Sequence, residues 1–351
     1  MKKGIALLLA LVLSLSMSSL ALAGDATYEI ALVTDVGNID DQSFNQASWE
    51  GVVAYAEANG LSHAYYRPSE DSDASREESM KAAIDKGAKV IVLPGFLFEA
   101  SATAIAKQYP DVQLLVLDTA PSEAGIPNTY AILYQEEQSG FFAGYAAVKD
   151  GYKKLGFLGG MAVPAVVRYG HGFVQGAEMA AKEMGISDVE IKYWYCGSFG
   201  PSDDIKTKMS GWATEGTEVV FACGGGIYLS ALAAADEADT KVIGVDVDQY
   251  YVSERIITSA MKDLKNSVVV ALTALYDNGG TWGDLGGTVA LLGAKDHCVG
   301  LPTAETSWRL NTFTVEEYNA LFEKVVSGEI AISDSIDETP AVEAVAVDYQ
   351  E

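Results

Sequence analysis

Tyr28-Glu29-Ile30-Ala31-Leu32-Val33-Thr34 runs into Asp35-Val36-Gly37-Asn38-Ile39-Asp40-Asp41-Gln42, and then into Ser43-Phe44-Asn45-Gln46. The first stretch is apolar at every position from Ile30 to Val33, as in a strand covered on both faces. The second is polar with a glycine, and reads as a loop. In the third, Ser43 with Gln46 reads as a capping box that opens a helix over residues 43–59. Phe44, Ala47, Val52 and Tyr55 fall near one stripe of that helix, and Asn59-Gly60 gives it a stop. A buried strand that hands over to a helix through a short loop is the building unit of a parallel α/β sheet.

The unit recurs. Apolar runs that predict strands lie at residues 62–66, 90–93, 113–117, 154–158, 189–195, 218–223 and 241–245. Helical patterns lie between them at 76–86, 101–108, 140–149, 170–184, 201–212 and 229–237. A longer helix over 259–278, a strand at 288–292 and a last helix at 315–326 follow, and the acidic tail from Ser333 reads as partly ordered. So many strand–helix units fit two parallel sheets of about four or five strands better than one. No low-complexity linker separates them, so the chain must cross between two lobes on ordered segments, leaving a hinge and a cleft. The division read from the pattern is 28–132 plus 258–290 for the first lobe and 133–257 plus 291–351 for the second.

The 351 residues are 49% hydrophobic and 21% charged, which excludes global disorder. Lys and Arg number 23 against 49 Asp and Glu, a net charge of −26, which excludes a nucleic-acid partner and direct binding to anionic lipid. Residues 1–23 read as a secretory signal peptide: Lys2 and Lys3, an apolar core, and a small-x-small ending at Ala23. The core is shorter than the ~20 residues of a membrane span, which argues against an uncleaved anchor. The protein is therefore expected to be exported, to a periplasm or the cell surface. Cys196, Cys223 and Cys298 are too few for a disulfide framework, and no Cys or His pair has metal-ligand spacing. No metal or other cofactor is expected.

In open parallel sheets ligands bind beyond the carboxyl ends of the strands. Asp35, Asp118 and Asp246 stand there, each directly after a strand. Their competing roles are turn and cap formation, which also accounts for Asp41. Phe44 sits at a strand-to-helix turn with Asn45 beside it, an aromatic platform next to a polar side chain. Phe199, between Gly197 and Gly200, repeats that placement, and Phe96 follows another strand. Gly224 and Gly225 after the 218–223 strand would let backbone approach a ligand, but match no phosphate-loop pattern. Lys262 reads as lying in the first turn of a helix, where the dipole disfavours a cation, so it needs an acidic partner. No GxSxG, HExxH or Cys/His template is present, so these groups describe a binding cleft rather than a reaction centre.

The segment from Val33 to Gln46 resembles the opening signature of the basic membrane protein (BMP) family, the purine nucleoside receptor-like substrate-binding proteins of ABC transporters. The resemblance continues through Phe157-Leu158-Gly159-Gly160-Met161 to Gly176-Ala177, at Val245-Asp246-Val247-Asp248-Gln249, and at Thr258-Ser259-Ala260-Met261-Lys262. It implies a type I periplasmic-binding-protein fold, with two Rossmann-like lobes and a three-stranded hinge. It also implies a nucleoside in the cleft and an ABC permease as partner. By this resemblance Phe44 and Phe199 sandwich the base, Asn45 reads a base edge, and Asp118 holds the ribose hydroxyls. Asp246 and Lys262 contact the ligand from the far lobe, and Gly224 and Gly225 give close backbone approach. Many members carry a lipid-modified cysteine after the signal peptide, where this chain has Gly24-Asp25. The alternatives are a secreted nucleoside hydrolase using the same aspartates and a relative that binds riboflavin or a sugar.

Overall fold

In the computed structural model, which describes residues 27–350, two parallel sheets are built from the same sequence of moves. The signal segment lies outside the described residues. The first lobe runs β1 (Ile30–Val33), α1 (Phe44–Asn59), β2 (His63–Tyr66), α2 (Asp73–Asp85), β3 (Val90–Pro94), α3 (Glu99–Gln108), β4 (Gln113–Leu117) and β5 (Thr129–Tyr134). The second opens with α4 (Glu136–Lys149). It then runs β6 (Lys154–Gly159), α5 (Pro164–Met184), β7 (Val189–Tyr195), α6 (Asp203–Thr214), β8 (Val219–Cys223), α7 (Tyr228–Ala238), β9 (Lys241–Asp246) and β10 (Ile256–Lys262). The chain returns to the first lobe for α8 (Leu264–Asp277) and β11 (Val289–Leu292). It ends in the second with β12 (Val299–Gly300), α9 (Val315–Val326) and β13 (Val345–Gln350).

The strand orders are β11-β5-β4-β3-β1-β2 and β12-β10-β9-β8-β6-β7-β13. The cores of the two sheets, β5-β4-β3-β1-β2 and β10-β9-β8-β6-β7, are therefore one topology used twice. Every residue of β1, β3 and β4 is buried, which is why these strands show no polar alternation. Among the described strands only β12 runs antiparallel to its neighbour, β10. The chain crosses between lobes three times: from β5 to α4, from β10 to α8, and from β11 to β12.

Several expectations are corrected. Residues 259–262 are strand, not helix: Ser259 to Met261 pair in parallel with β9, and the helix starts at Leu264, capped by Asp263 Oδ1 accepting from Asn266 N at 3.1 Å. This places 258–262 in the second sheet, while β11 lies wholly in the first, so the lobe division at 258 and 290 shifts to about those strands' ends. The sheets hold six and seven strands because β5, β10, β12 and β13 add to those read from the sequence. In the tail, β13 pairs with β7. It is anchored by the Glu178 carboxylate, which accepts from the backbone N–H of Glu343, Ala344 and Val345 at 2.9–3.0 Å.

Helices α4 and α5 approach to backbone contact. A Cβ on Gly140 or Gly144 would lie 2.0 Å from the carbonyl oxygen of Tyr169 or Phe173. On Gly172 or Gly176 it would meet those of Glu137 and Phe141 at the same distance. This contact sets where the first turns of α5, which line the site, stand against the start of α4.

Candidate binding site

The repeated topology puts equivalent groups face to face. Asp118 follows β4 and Asp246 ends β9, and both hold φ +65°, a left-handed conformation that Asp tolerates better than most residues. Gly95 (φ +123°) and Gly224 (φ +151°) follow β3 and β8, and open the one-turn helices Phe96–Phe98 and Gly225–Ile227. Between the lobes lies a narrow cavity of about 60 Å³, open at its mouth. All eleven residues read from the sequence line it: Asp35, Asp41, Phe44, Asn45, Phe96, Asp118, Phe199, Gly224, Gly225, Asp246 and Lys262. Tyr169, Val163 and Val166 from the start of α5 also line it, and sequence reasoning missed them. The signal that could have found them is Gly159-Gly160 at the end of β6 with Pro164 opening the next helix.

Phe44 comes from the first lobe and Phe199 from the second. Phe44 is 8% exposed, more deeply set than an open platform. The Phe199 ring rests on bare backbone, for a Cβ on Gly160 or Gly224 would lie 2.5 or 3.1 Å from it.

The 35–46 loop is ordered by its own polar groups, and here the capping box is overturned. Ser43 makes no cap bond to the helix. Asp41 does that work, accepting from the backbone N–H of Ser43, Asn45 and Gln46 at 2.9, 3.0 and 3.1 Å. Ser43 Oγ is thereby free to donate across the cleft to Asp246 Oδ2 at 2.5 Å. Asn45, which lines the cavity, is also engaged within the loop. Its side-chain amide donates to Asp35 Oδ1 (2.8 Å) and Asp41 Oδ2 (3.1 Å) and its side-chain carbonyl accepts from Asp35 N (3.3 Å), so Asn45 ties the loop together. Burial pushes the Asp35 carboxyl up to about 6, against the lowering pull of Gly37 N–H and Asn45.

Lys262 is the electrostatic centre. It ends a strand rather than opening a helix, but the acidic surroundings it needed are there. Its Nζ lies 2.6 Å from Asp118 Oδ2, 3.4 Å from Glu136 Oε1 and 3.9 Å from Asp246 Oδ1. The rings of Phe44, Tyr134 and Tyr169 surround it at 4.6, 5.2 and 5.7 Å. Burial pulls the ammonium down, but the three carboxylates outweigh it and hold Lys262 above its ordinary range, so it stays charged. Burial pushes Asp118 up, Lys262 opposes this, and Glu136 and Asp246 add to it. Asp118 Oδ1 and the Tyr169 hydroxyl are buried without partners. With the Gln249 Nε2 bond to Gln42 O at 2.9 Å, Lys262–Asp118 and Ser43–Asp246 join the lobes directly. Among the described residues no cluster of His, Cys, Asp and Glu is arranged to hold a metal ion.

Residues 29–335 match the family model described as the PnrA-like ABC transporter substrate-binding protein, Bmp. The chain belongs to this family. A nucleoside-binding protein of an ABC transporter, BmpA from Lactococcus lactis, is 29% identical over 71% of both chains. Basic membrane protein A2 of Borrelia garinii is 30% identical over 84% of this chain and 86% of its own. Among solved structures, an ABC transporter solute-binding protein from Aeropyrum pernix matches with a TM-score of 0.75 and 25% identity, covering 88% of this chain and 94% of its own. A second, from Conexibacter woesei, shares the fold at a TM-score of 0.65 and 20% identity. As a Bmp-family protein the chain is the substrate-binding component of an ABC transporter, with a small-molecule ligand, a permease partner and a place outside the cytoplasm. Its relatives are binding proteins rather than enzymes. No described helix is long and apolar enough to cross a membrane.

Proposed function

We propose that the ligand is a purine nucleoside, bound between Phe44 and Phe199 with its ribose on Asp118. On this reading residues 1–23 direct export, the lobes close by a swing about the three crossings, and the closed complex is presented to the permease. The observation that carries the proposal is Asp118 Oδ1, a buried carboxylate oxygen without a partner at the wall of a cavity with aromatic sides. A buried acceptor left unpaired costs about 1–3 kcal/mol, which a ligand hydroxyl relieves. The name of the Lactococcus relative supports the same ligand class. Stacking at about 1–3 kcal/mol per base and charge-assisted hydrogen bonds at about 1.5–3 kcal/mol each, less the costs of ordering, are compatible with micromolar to nanomolar affinity.

Calorimetry with inosine and 2′-deoxyinosine tests it. The deoxynucleoside should bind roughly 5- to 150-fold more weakly, equivalent to about 1–3 kcal/mol. Asp118→Asn should weaken inosine and narrow that gap. Equal affinities in the wild type would remove Asp118 from the ribose role, and catalytic release of hypoxanthine would make the chain a hydrolase instead. Phe199→Ala should lose affinity by a similar factor with its melting temperature nearly unchanged, because the ring is only half-buried. A large melting drop with unchanged affinity would make Phe199 a packing residue.

A further inference from the structure

Lys262 and Asp118 border the cavity, but what restrains Lys262 lies behind it. Glu136 has no exposed surface, and neither it nor Arg168 lines the cavity. Glu136 Oε2 accepts from Arg168 Nε at 2.6 Å while its Oε1 stands 3.4 Å from Lys262 Nζ. Glu136 opens α4 and Arg168 lies on α5, the two helices locked by their glycines, and α4 packs on β10, which carries Lys262. Three members of this chain of charges thus belong to the second lobe, and only Asp118 comes from the first.

We propose that Glu136, clamped by Arg168, is a positioning residue of the binding site: it holds the Lys262 ammonium so that Lys262 engages one oxygen of Asp118 and leaves Oδ1 for the ligand. An ammonium is a compact charge on a flexible stem. Beside a single buried carboxylate it is drawn toward both oxygens, and a second carboxylate on its far side balances that pull. Glu136 can serve because the Arg168 guanidinium compensates its own burial. This rests on the nucleoside reading only for the identity of the ligand.

The test reads Asp118 directly. The groups that face it are Lys262 from β10, Asp246 from β9, Glu136 from α4, Arg168 and Tyr169 from α5, Tyr134 from β5 and Cys223 from β8. Glu136 raises its midpoint and Arg168 lowers it. In ligand-free protein labelled with 13C at the aspartate carboxyls, with the Asp118 signal assigned through Asp118→Asn, that midpoint should fall by about one unit in Glu136→Gln. It should rise in Arg168→Gln. A damaged fold would not move it in opposite directions, and unchanged midpoints would overturn the proposal. If Glu136→Gln does not fold, Arg168→Gln, whose side chain is partly exposed, carries the decision by the same criterion. In calorimetry the inosine to 2′-deoxyinosine ratio should shrink in Glu136→Gln, because Lys262 then takes both Asp118 oxygens. An unchanged ratio in a variant that still binds inosine would also overturn it. Should the wild type bind neither nucleoside, the nucleoside reading fails, and the NMR midpoints still decide the role of Glu136.

Discussion

Gly144→Ala is expected to lower the melting temperature by roughly 10 °C or to leave no soluble folded protein. The added Cβ would lie 2.0 Å from the Phe173 carbonyl oxygen and 2.8 Å from its carbonyl carbon. Overpacking costs about 1–3 kcal/mol when side chains can give way. Here the obstacle is backbone of a 21-residue helix, so α4 and α5 must separate as whole bodies. A cost above about 3 kcal/mol is a large share of the stability a folded protein has to spare. Gly211→Ala is the control: it lies within α6, nothing stands within 4 Å of its Cβ position, and alanine there should be neutral or slightly stabilising. Circular dichroism melts of both variants decide it. If Gly144→Ala melts with the wild type, the helix contact is not as close as the structure places it.

The fold was legible because buried parallel strands announce themselves as unbroken apolar runs, and the strand ends then pointed to the cleft. What escaped has local causes. In Ile256-Ile257-Thr258-Ser259-Ala260-Met261-Lys262 nearly every position is buried, so no alternation marks a strand, and the true helix from Leu264 lends its period to the residues before it. Lys262 therefore reads as part of that helix although it ends the strand, and on either element its charge requires the acidic partners that surround it. The capping box failed because two residues compete for one job: Asp41 reaches three backbone N–H groups, and Ser43 is released to the other lobe. Glu136 and Arg168 carry no local pattern, and Tyr169 is signalled only by the glycines and Pro164 that precede it. Glu136 and Tyr169 meet Lys262, and Arg168 meets Glu136, because the close pair α4–α5 and the packing of α4 on β10 bring together residues far apart in the chain.

Lys262→Met is expected to weaken inosine binding by more than about 100-fold at pH 7.5, with most of that loss recovered at pH 5. Methionine fits the space, since Phe44, Tyr134 and Tyr169 form an aromatic cage that accepts a thioether. What the substitution removes is the charge among Asp118, Glu136 and Asp246. Taking one partner from a buried ion pair costs about 3–5 kcal/mol, more than two decades in affinity at about 1.4 kcal/mol per decade. The protein can avoid that cost by opening its lobes, so the loss should appear as failure to close rather than failure to fold. The direction with pH follows from the carboxyls. Burial already pushes Asp118 and Asp246 above their ordinary 3.8, and without Lys262 they rise further. A group raised in the closed state binds its proton more tightly there, so it favours closure at low pH and withdraws that support as pH climbs through the raised value. In the wild type Lys262 stays charged throughout this range and offsets the carboxylates. The ratio of wild-type to variant affinity should therefore be largest at pH 7.5 and shrink toward pH 5, with small-angle scattering showing the variant open at the higher pH. A ratio that stays constant with pH would mean that Lys262 acts through packing alone, and that the acidic cluster does not need its charge.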